Sequence, residues 1–497
     1  MSKQSLTTDR ANHRVTALSI ISLSSFVSAF MGSAFSVAAP VMTDPLSSQY
    51  VPGLDEAGMS WVIAVYILAT AMLQIPFGKI ADNYGRKRLY LIGMIIFTVT
   101  AFILGFMNNE TTLVIFRFIQ GFGAALIFAT GTAILTSIYP QEERGKAFGI
   151  NTGSTYIGLT AGPSLGGIIV EFLGWRSIFF SVVPFGILIC FLITFLLKGE
   201  WKNEKKEKID YIGAIIYMTT LFLLLYGFKS IETNYGYYFI GSSIVFLFVF
   251  FYWENKVAFP LLELTLFKKN KFFRYANLTA FLFYSATFST ALLLTYYLQD
   301  ILYLSVSITG LILLAMPFTQ ALLSPIGGRL SDKIEHRTIT TIGVATGLIG
   351  LSILAFINQK SSLILVIFGL LLGGIGFGLF SSPNVNSIMS SVNKKMYGVA
   401  SALVGTMRTV GQSISLGITT LLFSLFLGSP PTSALFSFKR DNLIPILPSH
   451  LSLSQHNLLL LSSIKIAFFV SLGLCVFALI SSYSRGKINF KKNNNLE

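Results

Sequence analysis

Long apolar runs separated by short polar segments fill the chain, and this pattern predicts a bundle of membrane-spanning helices. A helix needs about 20 apolar residues to cross a bilayer, and fourteen such runs can be traced. Their approximate spans are 17–42, 58–80, 88–107, 112–138, 147–170, 177–197, 209–228, 236–253, 276–299, 307–326, 338–357, 362–390, 398–427 and 461–483. Strands of a transmembrane barrel would be about half as long, with alternating polarity. The expected fold class is therefore all-α, a polytopic membrane protein with 14 transmembrane helices.

The composition supports the same class. Hydrophobic residues make up 53% of the 497 residues, and charged residues make up only 11%. Soluble domains carry about 25% charged residues, so the apolar surface of this chain requires lipid as its solvent. The lipid bilayer is accordingly the first expected partner.

Basic residues are distributed unevenly between the two sides of the predicted bundle. Most of the 36 Lys and Arg residues fall in segments that share a side with the N-terminus. Under the positive-inside rule this side is cytoplasmic, which predicts a multi-pass plasma-membrane protein with both termini in the cytoplasm. These loops and their contact with anionic head groups explain the net charge of +15, so no nucleic-acid partner is expected.

A basic turn between two predicted helices occurs twice. Residues 78–88 read Gly-Lys-Ile-Ala-Asp-Asn-Tyr-Gly-Arg-Lys-Arg, and the stretch 328–337 begins with the same order of Gly, base, branched aliphatic, small residue and Asp. Duplicated segments at equivalent places indicate two related six-helix bundles, as in many secondary transporters. The expected domains are an N-terminal six-helix bundle at 1–200, a two-helix insert at 201–260 and a C-terminal six-helix bundle at 261–497.

Residue types that carry catalysis or metal binding are scarce in the predicted helices. Cys190 and Cys475 lie in separate helices, and all four histidines fall outside the predicted spans. No ATP-binding loop, metal cluster or nucleophile constellation can be traced, so neither an enzyme nor a metal or other cofactor is expected. The expected partner is a small-molecule substrate, driven by an ion gradient or by its own gradient.

Four stretches carry motifs that can be compared with known membrane proteins. They are the basic turn 78–88, 113–121 in helix 4, 158–167 in helix 5, and 174–180 followed by Pro184. Together they resemble the fourteen-helix drug:proton antiporter branch of the major facilitator superfamily, over nearly the whole chain. The resemblance implies the major facilitator fold and multidrug efflux-like export of small amphipathic compounds by alternating access, coupled to proton antiport. A monomer is expected.

The resemblance also implies roles for the residues that match the motifs. In the basic turn, Asp82 ends a helix near basic residues and a neighbouring helix N-terminus, where a carboxylate is favourable. The implied cytoplasmic gate consists of Gly78, Asp82, Gly85, Arg86, Arg88 and Asp332. The implied coupling or positioning residues are Arg117, Gln120 and Arg408. The implied helix-packing motif, where the two halves would rock, consists of Gly158, Gly162, Pro163, Gly166 and Gly167.

Each of these sets also has a purely structural interpretation. The basic turn could serve only to fix topology, Arg117 could be a helix-to-helix hydrogen-bond donor, and the glycines could give close packing without motion. Arg408 could equally be structural, because the motif around it is weaker. By analogy with the family, the substrate cavity lies near the midplane. Its expected lining residues, besides Arg117, are Ser33, Ser36, Tyr66, Gln74, Tyr284, Thr287 and Gln320.

Helix 1 departs from the pattern of these relatives. Where they carry an Asp ahead of an Asn-Val-Ala-Leu-Pro segment, this chain has Met31, and no Asp or Glu lies in the middle of any predicted span. The alternative function is therefore an exporter or facilitator of anionic or neutral metabolites without a helix 1 proton-coupling carboxylate, favoured by the buried Arg117 and Arg408. A sensor would need a soluble output domain, and a membrane enzyme would need convergent catalytic groups; neither can be traced. The candidates left as proton carriers are Asp82, Glu171 and Asp300, or a carboxylate of the substrate itself held by an arginine.

Overall fold

The computed structural model describes residues 3–204, 206–230, 234–427 and 453–486, and the regular elements in these ranges are all helices. The N-terminal set runs from α1 to α7. Its bounds are Lys3–Ala34 (α1), Ala39–Thr43 (α2), Glu56–Tyr84 (α3), Arg86–Leu104 (α4), Glu110–Ile138 (α5), Arg144–Leu173 (α6) and Arg176–Phe195 (α7). Two further helices, α8 (Tyr211–Lys229) and α9 (Asn234–Lys256), follow this set.

The C-terminal set runs from α10 to α18. Its bounds are Leu264–Lys269 (α10), Lys271–Thr287 (α11), Thr290–Tyr296 (α12), Val306–Leu313 (α13), Ala315–Ser331 (α14), His336–Ala355 (α15), Leu363–Met389 (α16), Tyr397–Leu427 (α17) and Leu453–Ser484 (α18). A π-helical turn at Tyr297–Ile301 continues α12. The helices α6 and α17 are each preceded by a short 3₁₀ turn, at Gln141–Glu143 and Lys394–Met396.

Thirteen helices in the described part of the chain are long and apolar enough to cross a membrane. The span expected at 398–427 corresponds to α17, which is not among those thirteen but contains 31 residues. At 1.5 Å per residue it is about 46 Å long, enough to cross a bilayer. The described chain is thus an all-helical bundle with 13 to 14 helices of membrane length.

Side-chain caps and one glycine set the ends of the helices around the first basic turn. Asp55 accepts a hydrogen bond from the Gly58 N–H at the start of α3, which satisfies a backbone donor that the helix leaves free. At the other end Gly85 separates α3 from α4 with a φ of 118°, a conformation open to glycine and strained for other residues. This glycine makes the abrupt reversal that places Arg86 beside the end of α3.

Helices from the two sets meet along two matching seams. In the N-terminal set α1 packs on α6, and α5 packs on both α3 and α4; in the C-terminal set α16 packs on both α14 and α15. The seams between the sets are formed by α3 with α17 and by α6 with α14. The two basic turns lie at the same end of the bundle, at the ends of α3 and α14. We call this the latch end.

Candidate functional site

A first latch joins the end of α3 to the start of α17. The Asp82 carboxylate accepts hydrogen bonds from the backbone N–H groups of Gly398 at 2.8 Å and Val399 at 3.2 Å. Arg86 donates to the same carboxylate from Nε at 2.9 Å and Nη2 at 2.7 Å. Asp82 and Arg86 are both buried, so a charged pair and a helix N-terminus meet out of water, where charge-assisted bonds are strong.

A second latch joins the end of α14 to the start of α6. The Asp332 carboxylate accepts from the backbone N–H groups of Gly145 at 2.7 Å and Lys146 at 2.9 Å. Burial raises the pKa of the Asp332 carboxyl, the two backbone donors oppose this shift, and the neighbouring Glu142 and Glu143 add to it. The arrangement repeats the first latch with the sets exchanged, because here the acid comes from the C-terminal set and the donors from the N-terminal set.

Glycines allow the backbones to meet at both latches. A Cβ atom on Gly78 would lie 2.5 Å from the Gly398 carbonyl oxygen and 2.8 Å from the Ala402 Cβ. At the second latch a Cβ atom on Gly328 would clash with the Gly145 carbonyl oxygen. Each glycine stands four residues before its latch aspartate, one helical turn away on the same face. The repeat seen in the sequence is therefore a repeat of helix-to-helix contact.

Tyr397 lies between the two latches, and no sequence motif pointed to it. Its ring faces the guanidinium of Arg86 at 5.4 Å and that of Arg144 at 5.6 Å. Arg144 also donates to the Tyr397 hydroxyl at 3.2 Å. Because Tyr397 precedes Gly398 and Arg144 precedes Gly145, this contact joins the first residues of α17 and α6.

One residue assigned to the gate stays outside both latches. The side chain of Arg88 is exposed, and its backbone N–H donates to the Glu200 carboxylate at 3.1 Å. The basic turn is thus also tied to the segment after α7. Gly78, Asp82, Gly85, Arg86 and Asp332 all lie in or beside the latches.

A cavity, which we call the central cavity, lies between the two sets in the latch-side half of α6 and α17. Three hydroxyls meet across it: Tyr156 from α6 lies 3.3 Å from Tyr284 of α11, and both lie within 3.4 Å of Ser381 of α16. Arg408 of α17 faces the ring of Phe128 at 5.0 Å. The lining residues are Ser25, Ile127, Phe128, Gly131, Thr132, Phe148, Asn151, Thr152, Thr155, Tyr156, Tyr284, Ser381, Val385, Ser401, Val404, Gly405 and Arg408.

The cavity is polar, positively charged and small in this conformation. Arg408 carries the charge, and no carboxylate occurs among the lining residues of the described chain. About 60 Å³ is open to water-sized molecules, whereas drug-sized ligands occupy sites of about 300–1,000 Å³. The cavity is therefore smaller than a site for a drug-sized ligand.

Two of the residues proposed near the substrate, Tyr284 and Arg408, line this cavity, and the rest lie elsewhere. The Ser33 and Ser36 hydroxyls donate to carbonyl oxygens of their own helical segment. Gln74 is buried against α17, where its Oε1 accepts from Thr406 at 3.5 Å. Ser33, Ser36 and Gln74 do not line this cavity, and their contact with a substrate stays a prediction.

The remaining expected lining residues are also in helix contacts. Thr287 borders a separate void of about 10 Å³. Gln320 is buried, and its backbone carbonyl oxygen accepts a hydrogen bond from the Ser324 hydroxyl. Tyr66 is buried with its hydroxyl 3.4 Å from the Ser28 carbonyl oxygen. Ser25 and Asn151 line the cavity but were not expected to. The Ser25 hydroxyl donates a hydrogen bond to the Asn151 Oδ1 at 2.9 Å. They are ordinary polar residues in apolar runs, and only helix register marks them.

Arg117 is fully buried in the third of α5 that lies farthest from the latch end, and Gln120 follows it one helical turn later. Its Nη1 donates to the Gln120 Oε1 at 2.9 Å, and its Nε donates to the Val62 carbonyl oxygen at 3.3 Å. The guanidinium lies 4.8 Å from the ring of Phe35 and 4.6 Å from that of Tyr66. Arg117 therefore faces the bundle interior, with the expected contact to Gln120, and it does not line the central cavity.

The glycines of the helix-packing motif face α1. Cβ atoms on Gly158, Gly162 and Gly166 would meet residues of α1, from Phe26 to Ala34. Pro163 lies within α6, and a Cβ on Gly167 would have ordinary contact with Val37 at 3.7 Å. The motif thus packs helices within the N-terminal set, instead of forming a contact on which the two sets rock.

The face of α6 that meets the other set is nearer the latch end. A Cβ on Gly149 would lie 2.6 Å from the Ser324 carbonyl oxygen, and one on Gly153 would lie 3.2 Å from that of Ala321. With Gly145, these residues form a glycine-lined track along α14.

Two inter-set latches beneath a central polar cavity, in a bundle of membrane helices, define a membrane transporter. A family model described as the Major Facilitator Superfamily matches residues 21–416, and the chain belongs to that family. It is therefore a multi-pass membrane transporter and not an enzyme.

Relatives and one solved structure extend the comparison. The chain is 32% identical over 409 residues to the riboflavin transporter RibZ of Clostridioides difficile (82% of this chain, 87% of that protein). It is 31% identical over 385 residues to the multidrug resistance protein Stp of Mycobacterium tuberculosis (76% and 71%). It is 29% identical to multidrug resistance protein 3 of Bacillus subtilis (72% and 71%). The human organic anion transporter MFSD10 (TETRAN) shares the fold, with a TM-score of 0.62, 13% identity and coverage of 93% and 99%.

Proposed function

We propose that the protein exports small amphipathic compounds as a secondary transporter, by alternating access through the central cavity. The observation that carries this proposal is the pairing of two latches at one end with a contracted polar cavity above them. Each latch holds an acid of one set on a helix N-terminus of the other. Breaking both latches would open the cavity to the latch end, and forming them would close it there.

The proposed orientation puts the latch end in the cytoplasm. The turns of this end carry Lys87, Arg88, Lys333, Lys394 and Lys395, as the positive-inside rule requires. In this proposal α17 also crosses the membrane, which brings the number of spans to fourteen, divided as six, two and six. The protein is a monomer in the plasma membrane with both termini in the cytoplasm. The structure then corresponds to a cytoplasm-closed state.

The substrate class that fits the cavity best is neutral or anionic and partly aromatic. Arg408 supplies a positive charge, the hydroxyls of Tyr156, Tyr284 and Ser381 supply neutral hydrogen-bonding groups, and Phe128 supplies an aromatic face. Such a lining suits a planar polyhydroxylated molecule such as riboflavin, the compound named for one relative. Arg408 is half-buried, and its positive charge, with no carboxylate among the lining residues of the described chain, disfavours a second cation.

Export of cationic drugs in exchange for protons is the second candidate. Its support is the multidrug resistance named for several relatives and the aromatic rings of the cavity, which can attract a cation. The cavity in the described chain offers this mechanism no carboxylate. A proton carrier would have to lie outside the cavity, and protons remain a proposed partner only.

Transport into proteoliposomes with an imposed pH gradient separates the two candidates. The substrates are riboflavin, an anionic dye and a cationic dye of similar size, each assayed with wild type and with Arg408→Gln. We expect riboflavin or the anionic dye to be transported, and Arg408→Gln to reduce anionic transport about tenfold, since a hydrogen bond between a charged group and an anionic substrate contributes about 1.5–3 kcal/mol. Transport of the cationic dye alone, with faster rates in Arg408→Gln, would contradict this proposal and support the second.

A further inference from the structure

Two hydrogen-bond donors near Arg117 lack acceptors, although both residues are fully buried. In the described structure the Nη2 of Arg117 and the Nε2 of Gln120 have no hydrogen-bond partner. Native proteins rarely leave such groups unpaired, and each one calls for a water, an ion or a ligand. These two belong to side chains that bond each other on one turn of α5.

The charge of Arg117 is also uncompensated. No ion pair involves it among the side chains that the structure describes, and its other contacts are the Val62 carbonyl oxygen and the rings of Phe35 and Tyr66. A buried guanidinium without a counter-charge is costly. Helix α1 supplies no counter-charge, because the buried Met31 stands where the family pattern has an Asp.

We propose that Arg117 and Gln120 form an anion-binding site, separate from the central cavity, for a single carboxylate or halide. An anion would accept from the free Nη2 of Arg117 and the free Nε2 of Gln120 and neutralise the guanidinium. The ring of Tyr66 lies 4.6 Å from the Arg117 guanidinium, and its hydroxyl lies 3.4 Å from the carbonyl oxygen of Ser28, one turn of α1 from the cavity residue Ser25. The site stands on the unpaired donors and does not depend on which substrate the cavity carries.

The occupant has two sources, the carboxylate of a transported compound or a small anion from the medium. Thermal unfolding of the purified full-length protein in detergent distinguishes them. The probes are sodium chloride against sodium gluconate, and benzoate against the uncharged benzamide. An occupied site stabilises the folded state, so we expect a rise in Tm of about 2 °C or more with chloride, with benzoate, or with both, and no rise with benzamide.

Gln120→Glu is the deciding variant, because it places a carboxylate where the Gln120 Oε1 already contacts Arg117. The built-in counter-ion should abolish the response to added anions and leave the protein folded. Arg176→Gln is the matched control: Arg176 already donates to Asn108 and packs on Trp175, so its loss should leave the response unchanged. Arg408→Gln should also keep it, which excludes binding in the cavity.

Each outcome decides the proposal. A response to chloride identifies an inorganic counter-ion, and a response to benzoate alone identifies the carboxylate of a substrate. No response in wild type would overturn the proposal, because water would then satisfy the two donors. An equal response in wild type and Gln120→Glu would also overturn it, by placing the anion elsewhere. These measurements involve no transport, so their failure would leave the proposed function untouched.

Discussion

The carboxylate of Asp82 accepts a hydrogen bond from the backbone N–H of Gly398, 316 residues further along the chain. Asp332 makes the same bond to Gly145 across the other seam. Each aspartate thus occupies the positive end of a helix in the opposite set. The two contacts together make the arrangement of the latch end pseudo-symmetric.

Removing the charge of Asp82 should weaken closure more than removing that of Asp332. Asp82→Asn loses a buried ion pair with Arg86 as well as charged bonds to two backbone donors, and breaking such a pair costs about 3–5 kcal/mol. We expect transport to fall at least tenfold at equal membrane insertion. Asp332 is half-exposed, and burial already favours its neutral form, so Asp332→Asn should cost little transport. Equal rates for wild type and Asp82→Asn would refute the role of the first latch.

The second latch should respond to pH. Because burial raises the pKa of Asp332 in the closed state, closure favours the protonated carboxyl over the ionised one. Closure should therefore strengthen as the pH falls toward that raised pKa and weaken as the pH rises above it. Spin labels at the exposed positions Lys146 and Lys333, in a variant that lacks Cys190 and Cys475, measure the distance between α6 and the end of α14. Asp332→Asn should lose this pH dependence; its persistence would assign the effect to another group.

Gly78→Ala should hinder closure by contact alone. The new methyl group would lie 2.5 Å from the Gly398 carbonyl oxygen, closer than real Cβ atoms approach backbone, so α3 and α17 would have to separate. We expect a several-fold loss of transport with little loss of protein. Gly241→Ala is the control, since no atom lies within 4 Å of its Cβ position and alanine favours the helix. A loss of the same size in both variants would contradict the close-contact explanation.

Tyr397 should couple the two latches. Tyr397→Phe keeps the ring over Arg86 and Arg144 but loses the hydroxyl that accepts from Arg144, whereas Tyr397→Leu loses both. Each cation–π contact contributes about 0.5–2 kcal/mol. We therefore expect transport to be fastest in wild type, slower in Tyr397→Phe and slowest in Tyr397→Leu. The Leu variant should also populate the open distance between the labels at Lys146 and Lys333. An unchanged distance distribution would show that Tyr397 acts on the first latch alone.

The sequence pointed to Asp82 and Asp332 because an aspartate after a helix glycine lies within reach of a neighbouring helix N-terminus, and the structure shows both contacts. Their role as a gate stays a prediction. The sequence also predicted the helical spans, since apolar length is a direct requirement of the bilayer. The interior position of Arg117 followed from the cost of exposing its charge to lipid. These features depend on local chemistry, which a single sequence contains.

The cavity was less predictable, because its lining depends on how six helices, α1, α5, α6, α11, α16 and α17, are rotated against one another. Ser25 and Asn151 meet across α1 and α6, yet each resembles any other polar residue in an apolar run. The glycines at 158–167 were recognised as a packing motif, but their partner is α1 and not the other set. Tyr397 was missed because its role comes from two arginines distant in sequence. Such contacts belong to tertiary structure.

The distance between Lys146 and Lys333 during transport tests the alternating-access account most directly. Labels on these residues, in active proteoliposomes, should show a short distance in the cytoplasm-closed state and a second, longer distance that grows when a transported substrate is added. Asp82→Asn should shift the balance toward the longer distance without substrate. A single short distance under all conditions, in protein that transports at the wild-type rate, would contradict the claim that these latches open and close in the cycle.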